Sequence, residues 1–463
     1  MTAKAARESC SFFLARLQIE IARLRSVPFP GHDTGPRQYL NLVSGFIDTG
    51  RNYLQESTRP GISASDELAA IRAAEMFGNT AYQFAQHIAG ADASQIPHQI
   101  VAPFRRIVDE LGIKNTIFFR SEHLPNYELG TFDFANFPAV PHASETLKTA
   151  YKNLTLPILR VTVPGHSMGM LPHFAVVGHE LGHAIQNNFF PDPAALTGDE
   201  ASFWARLKQR LQATNTPFNN DAILLSATVI SNWMNELKAD AIGYLLGGPS
   251  FFFALCGFIQ LSSQTYGLGE THPPTDLRRK LLLDHLSSGT PSFCDVFKSK
   301  TGQEITETVN SPGIPVCPGP DDLFNEFNPR VGPLKASIWT EAIPFAAAMG
   351  PHIYSAAQAW MYANCPALIY KPEHLSADLD DHLEPLCNLV PPIESRRNGT
   401  TTAASLAAIL NVGWTALLTK LDQIAEPSGD YGDTTSRRME RLHELLLKGA
   451  ELAEAKRLWE ENV

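Results

Sequence analysis

The chain has 463 residues, 44% of them hydrophobic and 18% charged, with a formal charge of -11 at pH 7. That length allows two to four domains and a sizeable core, and an acidic balance without a long basic run excludes a broad nucleic-acid-binding surface. Six cysteines (Cys10, Cys256, Cys294, Cys317, Cys365 and Cys387) form no C-x-x-C pair, which predicts free thiols in a reducing, cytoplasmic compartment rather than a disulfide framework.

Residues 1–112 read as a helical region. Arg7, Glu8, Arg16, Glu20, Arg23 and Arg25 interrupt every apolar stretch near the start, so no signal peptide is expected there. Phe12, Phe13, Leu17, Ile21 and Leu24 recur at helical spacing and predict an amphipathic helix over 4–26. Further helices are expected at 36–56, 64–90 and 97–111, with Pro28-Phe29-Pro30-Gly31 and Arg59-Pro60-Gly61 between the first of them. Strand character begins at Thr116-Ile117-Phe118-Phe119 and returns at Tyr127 to Phe132. A third strand candidate, Ile158 to Val163, is flanked by Pro157 and Pro164, which favours the edge of a sheet.

The chemistry is concentrated further on. Gly178-His179-Glu180-Leu181-Gly182-His183 follows a breaker-free apolar run after Pro172. On a helix, His179 and His183 lie on one face, a turn apart. Two imidazoles so placed can hold a zinc ion, and Glu180 between them can reach water bound to it. His443-Glu444 lacks the partner histidine, since Leu447 stands four residues on. A helix is expected at 199–213, then a long one over 221–246, capped by Asn220 or Asp221 and stopped by Gly247-Gly248-Pro249. Along it Glu236 and Asp240 are four apart on one face, among Trp233, Leu237, Ala239 and Ile242, which leave little room for a solvated face. Glu236 would complete a His-His-Glu set with an open fourth position. Asp240 would accept the second N–H of a ligand imidazole, that of His179, and fix its tautomer. The bland alternative is a pair of hydrogen-bonded core histidines beside ordinary helix acids. No charge occurs between Ala241 and Leu261, a span-like length. Gly247-Gly248-Pro249 divides it into two shorter buried helices, so no transmembrane segment is expected, and peripheral membrane contact stays open. Residues 287–335 are rich in Pro, Gly and Ser and read as a loop-rich connection. The region 336–463 reads as all-helical, ending in an amphipathic helix over 436–461.

Three motifs in order, H-E-L-G-H, E-x-x-A-D-x-x-G and Thr271-His272-Pro273-Pro274-Thr275-Asp276-Leu277-Arg278, together resemble the glutamate-type zincins, the gluzincins. Among these the chain looks most like the peptidase family of the CAAX prenyl endopeptidases, the bacterial heat-shock membrane protease and their soluble periplasmic relatives. The resemblance spans roughly residues 156 to 285. It implies zinc on His179, His183 and Glu236, a general base in Glu180, and an oxyanion-stabilising hydrogen bond from His272. It also implies Arg278 as an ion-pairing residue that orders the site. In that family an edge strand precedes the zinc helix and pairs with the substrate backbone, a role that would fall to Ile158, Leu159, Arg160, Val161, Thr162 and Val163. The chain departs from the family at Gln186-Asn187-Asn188, where many members carry another histidine. Many members are also integral to the membrane, and this chain does not read as such.

The expectation is therefore an α+β chain, mainly helical, with a zincin-like core whose small sheet lies beside the H-E-x-x-H helix. Its parts would be a helical region 1–112, a core 113–286, a connection 287–335 and a helical region 336–463. The activity expected is that of a zinc endopeptidase with one Zn(2+) per chain, acting through a zinc-bound water activated by Glu180 on a restricted intracellular protein or peptide substrate. A catalytically silent, zinc-stabilised binding or regulatory module is the alternative. Substrate identity and oligomeric state are not legible.

Overall fold

In a computed structural model of the protein, the residues described are 3–29, 34–92, 95–122, 127–132, 137–155, 157–165, 171–261, 271–309, 320–397, 399–425 and 434–462. They are predominantly helical with a small sheet, and the chain divides into two compact units, residues 1–168 and 169–463.

The first unit contains helices α1 (Ala3–Arg25), α2 (Thr34–Glu56), α3 (Ala64–Ala89), α4 (His98–Glu110) and α5 (Glu145–Lys152), with strands β1 (Ile117–Glu122), β2 (Glu128–Phe132) and β3 (Ile158–Pro164). The four N-terminal helices match their expected spans. On α1, Leu14, Leu17, Ile21 and Leu24 form the buried stripe, the 3–4-residue recurrence that turns one helix face into core. Ser63 caps α3 by accepting a hydrogen bond from the Asp66 amide at 3.1 Å. The core is aromatic: Tyr39 stacks on Phe84 and tilts against Phe118, with centroids 5.0 and 4.8 Å away.

The sheet corrects two expectations. Its order is β1-β3-β2, so β3 is the central strand, parallel to β1 and antiparallel to β2. Ile158 to Val163 therefore do not form an edge. Leu159 pairs with Ile117 on one side and with Thr131 on the other, and every residue of β3 is buried. The flanking prolines remove ladder donors only at the strand ends. Leu159, Val161 and Val163 line one face of the strand and Arg160 and Thr162 the other, and all of them are buried. The sheet also belongs to the first unit and the H-E-x-x-H helix to the second, so the compact units divide at 168/169 rather than at 112/113.

The second unit contains α6 (Val177–Ile185), α7 (Pro193–Ala213), α8 (Asn220–Gly247), α9 (Pro249–Leu261), α10 (Thr275–Leu286), α11 (Phe293–Thr301), α12 (Ile305–Val309), α13 (Pro320–Asn364), α14 (Pro372–Cys387), α15 (Leu406–Thr419) and α16 (Thr434–Asn462), with a hairpin of β4 (Glu394–Arg397) and β5 (Thr400–Ala403). The uncharged run is split as expected. Gly248 takes a positive φ of 55° and its N–H closes the end of α8 on the Tyr244 carbonyl at 2.7 Å. Among the described residues no helix is long and apolar enough to cross a membrane.

Two regions differ from their reading. The connection 287–335 contains α11, α12 and the start of α13. Ser292 and Asp295 form a reciprocal capping box on α11, and Gly302 ends that helix at φ 75°. The region 336–463 is not all-helical, because a buried carboxylate anchors the hairpin. Asp378 accepts from Ser395 Oγ at 2.9 Å, from Tyr370 Oη at 2.8 Å and from Arg397 Nη2 at 2.8 Å on both oxygens. Cys10, Cys256, Cys294 and Cys387 are free thiols, and Cys317 lies outside the described residues.

Candidate metal centre

The site is built where α6 meets α8. A 3-10 turn over Leu171–Val176 leads into α6. The C-terminal helices hold that turn. Trp414 Nε1 donates to the Pro172 carbonyl at 2.8 Å, His443 Nδ1 accepts from the Leu171 amide at 2.9 Å, and the His173 ring stacks on Trp414 at 5.4 Å. On α6, Gly182 faces α8 so closely that a Cβ there would lie 2.7 Å from the Ala239 Cα. Only glycine permits this approach, and it is the approach that brings His179 and His183 against Glu236. The far end of α8 is pinned by Asn411, whose amide donates to the Gly247 carbonyl and accepts from the Ser250 N–H, at 2.8 and 2.9 Å.

His179 Nε2 and His183 Nε2 are 3.1 Å apart. Glu236 completes the triangle, with Oε2 3.3 Å from His179 Nε2 and Oε1 3.4 Å from His183 Nε2. Ligand atoms on a tetrahedral zinc stand about 3.3 Å from one another, given bonds of roughly 2.0–2.2 Å. His179, His183 and Glu236 thus fit one ion. The partners of the other ring nitrogens agree with this. His179 Nδ1 lies 2.9 Å from Asp240 Oδ1 and His183 Nδ1 lies 3.1 Å from Gln186 Oε1. Both oxygens can only accept, so each Nδ1 carries the proton and each Nε2 presents its lone pair to the triangle. Glu236 Oε2 is buried and accepts no hydrogen bond among the described residues, as expected of an oxygen reserved for a cation.

The charges point the same way. Asp240 is fully buried and Glu236 nearly so. Burial alone would raise the Glu236 pKa, but the close approach of the His179 and His183 rings, with Arg278 nearby, holds it far below the usual carboxylate range. Burial likewise opposes ionisation of Asp240, and the Arg278 guanidinium outweighs it. Arg278 grips Asp240 from α10, Nε to Oδ2 and Nη2 to Oδ1 at 2.7 Å each, and its Nη1 lies 3.8 Å from Glu236 Oε2. Two carboxylates against one guanidinium leave negative charge in excess. Burial would lower the His179 pKa, yet Asp240 and Glu236 lift it to about 10. The cluster therefore calls for a cation at Nε2, a proton or a metal.

Of the residues singled out from sequence, His179, His183, Glu236, Asp240 and Arg278 come together, and His272 joins them, its Nε2 3.5 Å from Glu236 Oε2 and its side chain half exposed at the rim. Glu180 is buried on α6 beside the two ligands. Ile158 to Val163 lie in the first unit. Sequence reasoning missed Gln186, although its i+3 spacing from His183 was a usable signal. It also missed Trp414, His443 and Asn411, whose partners lie more than 150 residues away. No family model, no curated protein and no solved structure matches the chain.

Proposed function

We propose that the chain is a zinc-dependent endopeptidase of the gluzincin type, with a zincin-like core in its second unit. The observation that carries this reading is the convergence of His179, His183 and Glu236 ligand atoms within 4.8 Å on a helix that also buries Glu180. Zinc held there supplies Lewis-acid polarisation of a peptide carbonyl and of water. Glu180 takes a proton from the attacking water as the new C–O bond forms, then passes it to the leaving amine as the C–N bond breaks. His272, at the rim, donates a hydrogen bond to the carbonyl oxygen as it becomes negative. Asp240 keeps His179 in the Nδ1–H tautomer, and Arg278 keeps Asp240 ionised and aligned. The free thiols support a reducing compartment.

One observation favours the quieter alternative, a metal-stabilised binding module. With β3 paired on both sides, Ile158 to Val163 have no open edge for a substrate strand. Glu180 weighs against that alternative, because a structural metal needs no base. The test is a comparison of zinc content and of new N-termini produced in a protein mixture by wild type and by Glu180→Gln. Equal zinc with cleavage only by wild type supports the peptidase. Equal zinc with no cleavage by either supports the binding module.

A further inference from the structure

The sheet of the first unit carries a polar face that no part of the metal reading uses. Strand alternation puts Arg120 of β1, Arg160 and Thr162 of β3 and Glu128 and Gly130 of β2 on one side. Arg120 is paired with Thr162 across the ladder, and Arg160 lies two residues back along the same face. Neighbouring strands are about 4.8 Å apart, so both guanidinium stems rise beside the Thr162 hydroxyl. All three residues are buried, with exposures of 4% for Arg120, 8% for Arg160 and 0% for Thr162.

Only part of their hydrogen-bonding capacity is met. Arg120 pairs through Nη2 with Glu122. Arg160 Nη2 donates to Glu128 Oε1 at 3.1 Å, and its Nη1 lies 3.1 Å from His87 Nε2. Arg120 Nε, Arg120 Nη1, Arg160 Nε and Thr162 Oγ1 remain, buried and without a hydrogen-bond partner among the described residues. His87 cannot serve them, since its other nitrogen is engaged by Tyr39 Oη at 3.1 Å. The two carboxylates sit toward the rim, with side chains 29% and 47% exposed, and satisfy none of the four atoms. The arrangement is built rather than loose. The Arg160 guanidinium lies over the Phe132 ring at 5.1 Å, and a Cβ at Gly130 would stand 2.9 Å from Arg160 Nη2. Buried charged donors left unmet are costly, and native proteins leave few of them unless water or an ion meets them.

We propose that this face binds one small phosphate-type oxyanion between Arg120, Arg160 and Thr162. Guanidinium forks match the oxygens of a tetrahedral oxyanion, each able to offer more than one N–H, and the threonine hydroxyl adds a further donor. The site lies within the first unit and does not depend on the metal reading.

The test is titration of inorganic phosphate, and in a second arm methyl phosphate, into the full-length protein in a phosphate-free buffer. Binding is read by calorimetry and by the thermal midpoint in circular dichroism. One saturable site per chain is expected. It should weaken about tenfold, the equivalent of about 1.4 kcal/mol, in Thr162→Val and vanish in Arg120→Leu. Binding in the second arm extends the ligand to phosphomonoesters, and binding in the first arm alone restricts it to the free ion. Should Arg120→Leu fail to fold, Thr162→Val carries the test. No saturable binding to wild type, or equal binding by wild type and Thr162→Val, overturns the proposal and assigns the four atoms to ordered water.

Discussion

Arg278 holds both oxygens of Asp240 at 2.7 Å, and Asp240 in turn meets His179 Nδ1 at 2.9 Å. A guanidinium on α10 thus sets the tautomer of an imidazole on α6 through a carboxylate on α8. Partners of this kind are worth about 10–100-fold in metal affinity. Asp240→Asn should weaken zinc binding by about that factor while His183 and Glu236 stay in place. Arg278→Leu should do the same and also destabilise the fold, because it strands a fully buried carboxylate. Competition with a chelator of known affinity measures both, and unchanged zinc affinity in Asp240→Asn would remove Asp240 from the account.

Gly182→Ala forces α6 away from α8, since the new Cβ would stand 2.7 Å from the Ala239 Cα. A cost of about 1–3 kcal/mol is expected from overpacking, with a loss of zinc affinity out of proportion to it, because the ligands sit on opposite sides of that contact. Gly178→Ala is the control, with its nearest atom at 3.4 Å. It should leave zinc content near the wild-type level.

In the ion-free cluster the His179 pKa is opposed by burial and raised by Asp240 and Glu236 to about 10, from an ordinary 6.5. A raised imidazole pKa adds stability that is complete below pH 6.5 and is lost as pH rises through about 10. A zinc ion bound at Nε2 would take the place of that proton. Zinc binding near pH 8 should therefore release about one proton per chain from this residue. Calorimetric titrations in two buffers of different ionisation enthalpy measure it. Zinc uptake without proton release would contradict the positive charge assigned to the ion-free His179.

His87 behaves in the opposite way. Burial, with Arg160 and Arg120 nearby, lowers its pKa to about 3. The unfolded chain then binds a proton near pH 6.5 that the folded chain refuses until about pH 3, so the first unit loses stability as pH falls across that window. All six tryptophans lie in the second unit. Acidification should therefore lower the circular-dichroism signal of helix before it changes tryptophan emission, and His87→Gln should reduce that difference. Coincident transitions at every pH would argue against a separate weakness in the first unit.

The candidate metal ligands were legible because their spacing is local. An i,i+4 pair on one helix and a second i,i+4 acid pair on another need only helical periodicity to be recognised. The helices of residues 1–112 were legible for the same reason. The position of β3 was not, because strand order depends on partners some 30 to 40 residues away, and terminal prolines are compatible with a central strand when only the ends lack donors. The hairpin at 394–403 carries little apolar alternation and is held by Asp378, a residue that periodicity cannot connect to it. For α11 the signal was present, a Ser292/Asp295 capping box, but was outweighed by the surrounding Pro, Gly and Ser.

The most direct measurement of the central claim uses one protein mixture, incubated with wild type and with Glu180→Gln loaded with equal zinc. The account predicts that both proteins bind one zinc per chain and that new N-termini arise only with wild type. Equal cleavage by the two would remove Glu180 from the chemistry, and a wild type that takes up no zinc would contradict the metal centre itself.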